Sequence, residues 1–481
     1  MRVCHLRATS TILKRLISFT LVLLLAEGIN SDTKPIAAFE HKFAVHTSDE
    51  AATASKIAVH GRSPYTDKGL KLIHPASGIT FAGEMQGDVE LELQIKFKGN
   101  YNHMYFTVLV DGQRQGQGRE NSLELTDGKQ NSDGNFKIKL ASNLPRGRHK
   151  ISFFRQNEIG FGDIFLKKLK FDGSLSVLPP QTRIEFVGDS ITAGFGIYPP
   201  SKDYAMGDPY QQDATGSYAF LTSQKLNLDC SLLAISGYGL ISGWGNDHTM
   251  PKLYPFTDWF KDATASGLYH FKPAADVVCV NLGTNDWNTR STEHTIKESS
   301  SNFYMGVVNF TNLIRQYNPQ AKIVWLYGMM IEVNPFEYQI EAAVRQLGGD
   351  AANVYSLRLP SGRNGLLGHP DETEQRAAAD KLAEFLQEIG VTSGTLSPAG
   401  RKDPRVEAGA AESLTNVLPE LTETELGAAN DITPDLTTSA FKRKAVISIS
   451  LLILILLLII VIILVVEKST KKQKRHRKLP R

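Results

Sequence analysis

The chain has 481 residues, 42% of them hydrophobic and 21% charged, the composition of ordinary globular protein with room for two or three folded units. Three cysteines provide no disulfide framework. The net charge of +3 belongs to the ends: setting aside 1–28 and 442–481 leaves a chain acidic by ten charges, which excludes nucleic acid or another polyanion as a partner held by the overall field.

Residues 1–28 read as a secretory signal. Arg2, Arg7, Lys14 and Arg15 precede a short apolar stretch, with Ala26 and Gly28 at small-residue cleavage spacing. A first domain follows over 35–175. Its pattern has period two, clearest where Val89, Leu91, Leu93, Ile95 and Phe97 alternate with Glu90, Glu92, Gln94 and Lys96. Similar runs at 78–82, 104–110, 136–140, 148–154 and 164–171, with turn signals at Asp111-Gly112 and Asp133-Gly134, predict an antiparallel β-sandwich of jelly-roll type. A linker over 174–180 then closes this domain.

From 180 to 391 strands and helices alternate. Strands are expected at 183–187, 231–235, 276–282, 322–327 and 353–357, and helices at 216–226, 296–317, near 336–347, and at 370–389. That alternation predicts an α/β domain with a parallel sheet covered on both faces. Cys230 and Cys279 fall in its apolar strands. Residues 392–444, rich in Thr, Ser, Glu, Pro and Ala, read as a flexible stalk. The 22-residue run 445–466, apolar but for Ser448 and Ser450, is long enough to span a bilayer, and the tail 467–481 is basic. The predicted topology is therefore type I single-pass, with the folded domains at the cell surface or in a secretory lumen.

Polar residues fall where the α/β strands end. Gly188-Asp189-Ser190 follows the first strand, Ser236-Gly237 the second, Gly283-Thr284-Asn285-Asp286 the third, and His369 stands before the last helix. Ligands of open parallel sheets bind at these carboxyl ends. Thr192 occupies the last position of what would otherwise be a G-x-S-x-G elbow. The set Ser190, Gly237, Asn285 and His369 resembles the SGNH hydrolase superfamily. Together with the preceding sandwich, the stretches FVGDSITAGFG, ISGYG, GTNDW and GHP resemble carbohydrate esterase family two, whose members are acetyl esterases.

The resemblance implies Ser190 as nucleophile, His369 as its base, and an oxyanion hole of the Ser190 amide, the Gly237 amide and the Asn285 side chain. It implies Trp287 as an aromatic lining the sugar cleft, against a plain core tryptophan; Tyr238 and Trp244 flank the same mouth. The superfamily's acid, three residues before the histidine, is replaced here by Leu366. A Ser-His dyad with a backbone carbonyl in the acid's place is expected, with Asp286 or Glu332 left open as distant acids and Asp371 beginning a helix. His248 and His294 have no metal-ligand spacing, and no cofactor or metal is expected. Asn309 lies in a glycosylation sequon on a predicted helix. The implied function is removal of O-acetyl groups from carbohydrate, the membrane being a partner only through the C-terminal span. A lipid or thioester hydrolase and an inactive carbohydrate-binding receptor are the alternatives.

Overall fold

A computed structural model describes residues 43–46, 56–116, 119–128, 133–199, 202–244, 247–288, 296–330 and 336–392. The predicted signal, nearly all of the stalk, the span and the tail lie outside the described residues, as do Glu332 and His294. Among the described residues no helix is long and apolar enough to cross a membrane.

Ten strands build the first sheet: β1 (Ala44–His46), β2 (Ala58–His60), β3 (Tyr65–Thr66), β4 (Gly69–Leu72), β5 (Gly78–Phe97), β6 (His103–Val110), β7 (Gln113–Gln115), β8 (Leu123–Thr126), β9 (Asp133–Arg155) and β10 (Gly162–Ser176). Their order is β3-β4-β10-β5-β9-β6-β7, with β1 on β10, β2 on β5 and β8 on β6. All pairings are antiparallel except β1 with β10. Val89, Leu91, Leu93, Ile95 and Phe97 point inward, as the alternation requires, and join one core with Phe81, Phe106, Phe153 and Leu166. Each such side chain fully buried is worth about 1.5–3 kcal/mol.

The strand order is that of one hydrogen-bonded sheet, antiparallel but for β1, and does not by itself establish a jelly roll. Three expectations need correction. Asp133-Gly134 is no turn; it pairs with Lys96 and Ile95 at the start of β9. The runs at 136–140 and 148–154 are halves of that one strand, which crosses register shifts opposite Gly87 rather than reversing. Finally, residues 174–176 still pair with β5, so the linker begins after Ser176.

The second sheet is parallel throughout: β11 (Arg183–Gly188), β12 (Asp229–Ala234), β13 (Val277–Asn281), β14 (Lys322–Tyr327) and β15 (Val354–Arg358), in the order β12-β11-β13-β14-β15. Its strands are apolar on both faces because both are covered. In β13, Val278 and Val280 enter the core beneath helices Ile296–Tyr317 and Glu337–Gln346. Val277 and Cys279 enter the opposite core, beneath Tyr218–Lys225 and Glu372–Glu388. Cys230 and Cys279 are buried free thiols.

The order reverses at β11, which has β12 on one side and β13 on the other. The crevice of an open α/β sheet lies at such a switch point, beyond the strands' carboxyl ends. The two sheets are tied across their boundary. Arg62, fully buried, donates from Nε to Glu185 at 3.1 Å and from Nη1 to the Tyr254 and Phe256 carbonyls at 2.5 and 2.7 Å.

Candidate active site

β11 ends at Gly188, and the chain turns at once, so Asp189 and Ser190 sit in the switch-point crevice. His369 arrives from the far end of the domain, in the turn before helix Glu372–Glu388. Its Nε2 lies 2.8 Å from Ser190 Oγ. Its Nδ1 lies 3.0 Å from the Leu366 carbonyl oxygen, which also accepts the His369 amide at 3.1 Å. The backbone therefore holds the tautomer with the proton on Nδ1, leaving Nε2 to accept from the serine. Burial lowers the His369 pKa below its ordinary value, against the opposing pull of the Leu366 carbonyl.

The imidazole is boxed in by residues just beyond the serine. Phe195 meets it edge-on, with ring centroids 5.0 Å apart. The Gly196 carbonyl accepts the Leu366 amide at 2.8 Å. Gly196 has φ +74°, and a Cβ there would stand 2.8 Å from both the His369 Cβ and the Leu366 oxygen. Sequence reasoning quoted this Phe-Gly pair but gave it no role; its signal was a second glycine closely following the serine.

Gly237 follows β12 at φ +84°, where a side chain would be strained. Its carbonyl accepts the Trp244 amide at 2.7 Å. Among the described residues no protein acceptor takes the Ser190 or the Gly237 amide. Asn285, in the short helix Thr284–Asn288, donates from Nδ2 to the Tyr238 carbonyl at 2.8 Å and lies 3.3 Å from Asp189 Oδ2. The Tyr238 contact is the shorter and orients the amide.

Neither described candidate acid faces the imidazole. Asp286 accepts from the Leu240, Ile241 and Ser242 amides, the closest at 2.6 Å, and burial pushes its carboxyl up against those bonds. Asp371 caps the final helix, accepting from the Glu374 amide at 2.9 Å in a reciprocal capping box. Asp189, beside the serine, accepts from the Ile191 amide at 3.0 Å, and burial raises its carboxyl to about 7.

Other predicted positions divide. Trp287 is half-buried against the core, edge-on to Phe336 at 5.8 Å, as a packing residue would be. Trp244 is 67% exposed beside Gly237, and Phe260 is exposed and meets Tyr238 edge-on at 6.3 Å. His248 is exposed and stacks on Tyr238. Asn309 is exposed, but Thr311 is buried, its hydroxyl donating to the Val307 carbonyl at 2.7 Å and accepting from Trp325 Nε1 at 2.9 Å. That threonine already has a structural role. Among the described residues no cluster of His, Cys, Asp or Glu has the form of a metal site.

Residues 186–397 match the family model of GDSL-like lipases and acylhydrolases. Over 203 residues the chain is 32% identical to a cellulase/esterase, CelE, of Acetivibrio thermocellus, covering 40% of this chain and 23% of that protein. Over 225 residues it is 26% identical to an acetylxylan esterase/glucomannan deacetylase of Cellvibrio japonicus, covering 44% of this chain and 61% of that one. The chain thus spans less than two thirds of the length of these curated relatives. Among solved structures, the acetyl xylan esterase Est2A of the rumen bacterium Butyrivibrio proteoclasticus superposes with a TM-score of 0.61 at 23% identity, over 70% of this chain and 96% of that one. A family two carbohydrate esterase from Clostridium thermocellum, in complex with cellohexaose, superposes at 0.58 and 23%, over 69% and 98%. At that identity the likeness is one of fold: the SGNH hydrolase fold with an antiparallel sheet ahead of it.

Proposed function

We propose that this chain, whose residues 186–397 are of the GDSL-like lipase/acylhydrolase kind, is a serine esterase that removes O-acetyl groups from carbohydrate. The observation that carries the proposal is the 2.8 Å contact between Ser190 Oγ and His369 Nε2, made at the switch point beside two amides without a protein acceptor. The substrate class is drawn from a relative named as an acetylxylan esterase/glucomannan deacetylase and a structural neighbour named as an acetyl xylan esterase, beside a relative named as a cellulase/esterase.

In this reading Ser190 attacks the acetyl carbonyl while His369 Nε2 takes its proton. The oxyanion is met by the Ser190 and Gly237 amides and by Asn285 Nδ2, each such donor being worth about 3 kcal/mol in the transition state. His369 then protonates the leaving sugar oxygen, which departs as a hydroxyl, and water, deprotonated by the same nitrogen, releases acetate from the acetyl-enzyme. The Leu366 carbonyl stands where an acid would stand in a triad, holding the tautomer without a full negative charge. Exposed Trp244 is a better sugar-stacking face than half-buried Trp287. We read the bent ten-stranded sheet as the jelly-roll sandwich expected from the sequence, and the 445–466 run as a type I anchor that leaves the site outside the cytoplasm.

The experiment is acetate release from acetylated xylan by the wild type and by Ser190→Ala. Wild type should release acetate and accept a fluorophosphonate label on Ser190, while a folded Ser190→Ala does neither. Substantial turnover by that variant would remove Ser190 from the role.

A further inference from the structure

At the end of β9 and in the turn to β10 stand four successive polar residues, Arg155, Gln156, Asn157 and Glu158, and all four are buried. Arg155 donates to carbonyls of its own domain, while the other three reach the α/β domain. The Gln156 carbonyl accepts the Ala214 amide at 3.1 Å, and Asn157 Nδ2 donates to the Pro209 carbonyl at 2.8 Å. Glu158 reaches furthest. Its Oε2 accepts the Ser236 amide at 2.7 Å, and its Oε1 accepts the Ser236 hydroxyl and Gln212 Nε2, each at 2.5 Å. Gln212 Oε1 in turn accepts the Glu158 amide at 2.8 Å, and Arg155 Nη2 donates to the Glu158 carbonyl at 2.6 Å.

We infer that Glu158 is a positioning residue for the acetylesterase reaction, reaching from the antiparallel sheet to fix Ser236 and so to aim the Gly237 amide. The inference rests on the esterase reading above. The N–H in question belongs to the peptide joining Ser236 to Gly237. Glu158 holds that peptide on its Ser236 side through both backbone and side chain, and the Trp244 amide holds it on the Gly237 side at 2.7 Å. Gly237 has no Cβ and a positive φ, so its own side offers little restraint. A carboxylate suits the post because all three partners donate. Glutamine in its place would set an amide N–H against a donor on at least one of them.

The test uses full-length Glu158→Gln, Ser236→Ala, Ser236→Thr and His60→Ala. His60 ties the same two sheets at the opposite end of the strands, 2.9 Å from Asp229 at the start of β12, far along the sheet from the site. Turnover and KM on acetylated xylan, the melting temperature, and the rate of Ser190 labelling by a fluorophosphonate are measured for each. Glu158→Gln should lose roughly 10- to 100-fold in kcat and in labelling rate, with KM within about twofold. Ser236→Ala keeps the amide bond to Oε2 and should lose less, and Ser236→Thr, which restores the hydroxyl, should recover. His60→Ala should lower the melting temperature while leaving kcat within about twofold. Wild-type kcat and labelling in folded Glu158→Gln and Ser236→Ala would overturn the inference, as would kcat losses that follow melting temperature in all variants alike. Should the wild type label but release no acetate, the esterase reading fails, and the labelling rates still decide the role of Glu158.

Discussion

Replacing Asp286 by Asn tests whether His369 works without a carboxylate. The Asp286 oxygens accept three backbone amides, from Leu240, Ile241 and Ser242, in a buried setting. Asparagine keeps Oδ1, which all three amides reach, but sets an N–H 2.9 Å from the Leu240 amide where Oδ2 accepted it. Mispairing one buried donor costs up to about 1–3 kcal/mol of stability. The effect on turnover is indirect, through the loop beyond Gly237, and is expected at about tenfold or less, or roughly 1.4 kcal/mol. Asp371→Asn should do less still, since Asn caps a helix as well as Asp does. A true triad acid would behave differently: its loss leaves the wrong tautomer and costs on the order of 10⁴ in turnover. The assay is acetate release from acetylated xylan by Asp286→Asn, Asp371→Asn and Glu332→Gln, beside urea denaturation and circular dichroism. A thousandfold loss in any of the three, with the fold intact, would refute the dyad.

Gly196→Ala should cut turnover more than 100-fold at unchanged substrate binding, because its Cβ would enter the space of the His369 Cβ and the Leu366 carbonyl; near-normal kcat in the folded variant would show that the imidazole is not held there. The pH profile of kcat/KM should rise along an acid limb whose midpoint lies below 6.5, since burial lowers the His369 pKa and only the neutral ring is a base; a midpoint above 7 would point to a facing carboxylate. The same shift acts on stability. The unfolded chain takes up the proton more readily than the folded one, so the His369 contribution is present above pH 6.5 and declines as pH falls below it. Protease added to sealed membranes carrying the full chain should trim only the basic tail, and digestion of the folded domains there would reverse the assigned topology.

Much of the architecture was legible because periodicity reports burial directly. The alternation from Val89 to Phe97 required a half-buried strand, and the apolar runs around Cys230 and Cys279 required strands covered on both faces. Helix 296–317 and strand 322–327 fall where the pattern placed them. Strand joins were less legible. The break at 141–147 looks like a turn in one dimension, yet it is a pair of register shifts opposite Gly87, set by the partner strand. The polar run 155–158 carries no local signal that a second domain will bury it.

The sequence by itself determined the order of the elements and the residue types set at the strand ends, since hydrophobic period and the need for a nucleophile, a base and uncharged donors are local properties of the chain. Only the tertiary structure decided what faces what. It brought His369 to Ser190, 179 positions away along the chain, turned Asp286 and Asp371 to backbone amides, placed the Leu366 carbonyl on the imidazole, and sent Glu158 from the antiparallel sheet to Ser236. Those choices are made by buried polar groups finding partners wherever packing puts them, and such pairings depend on distance in space rather than along the chain.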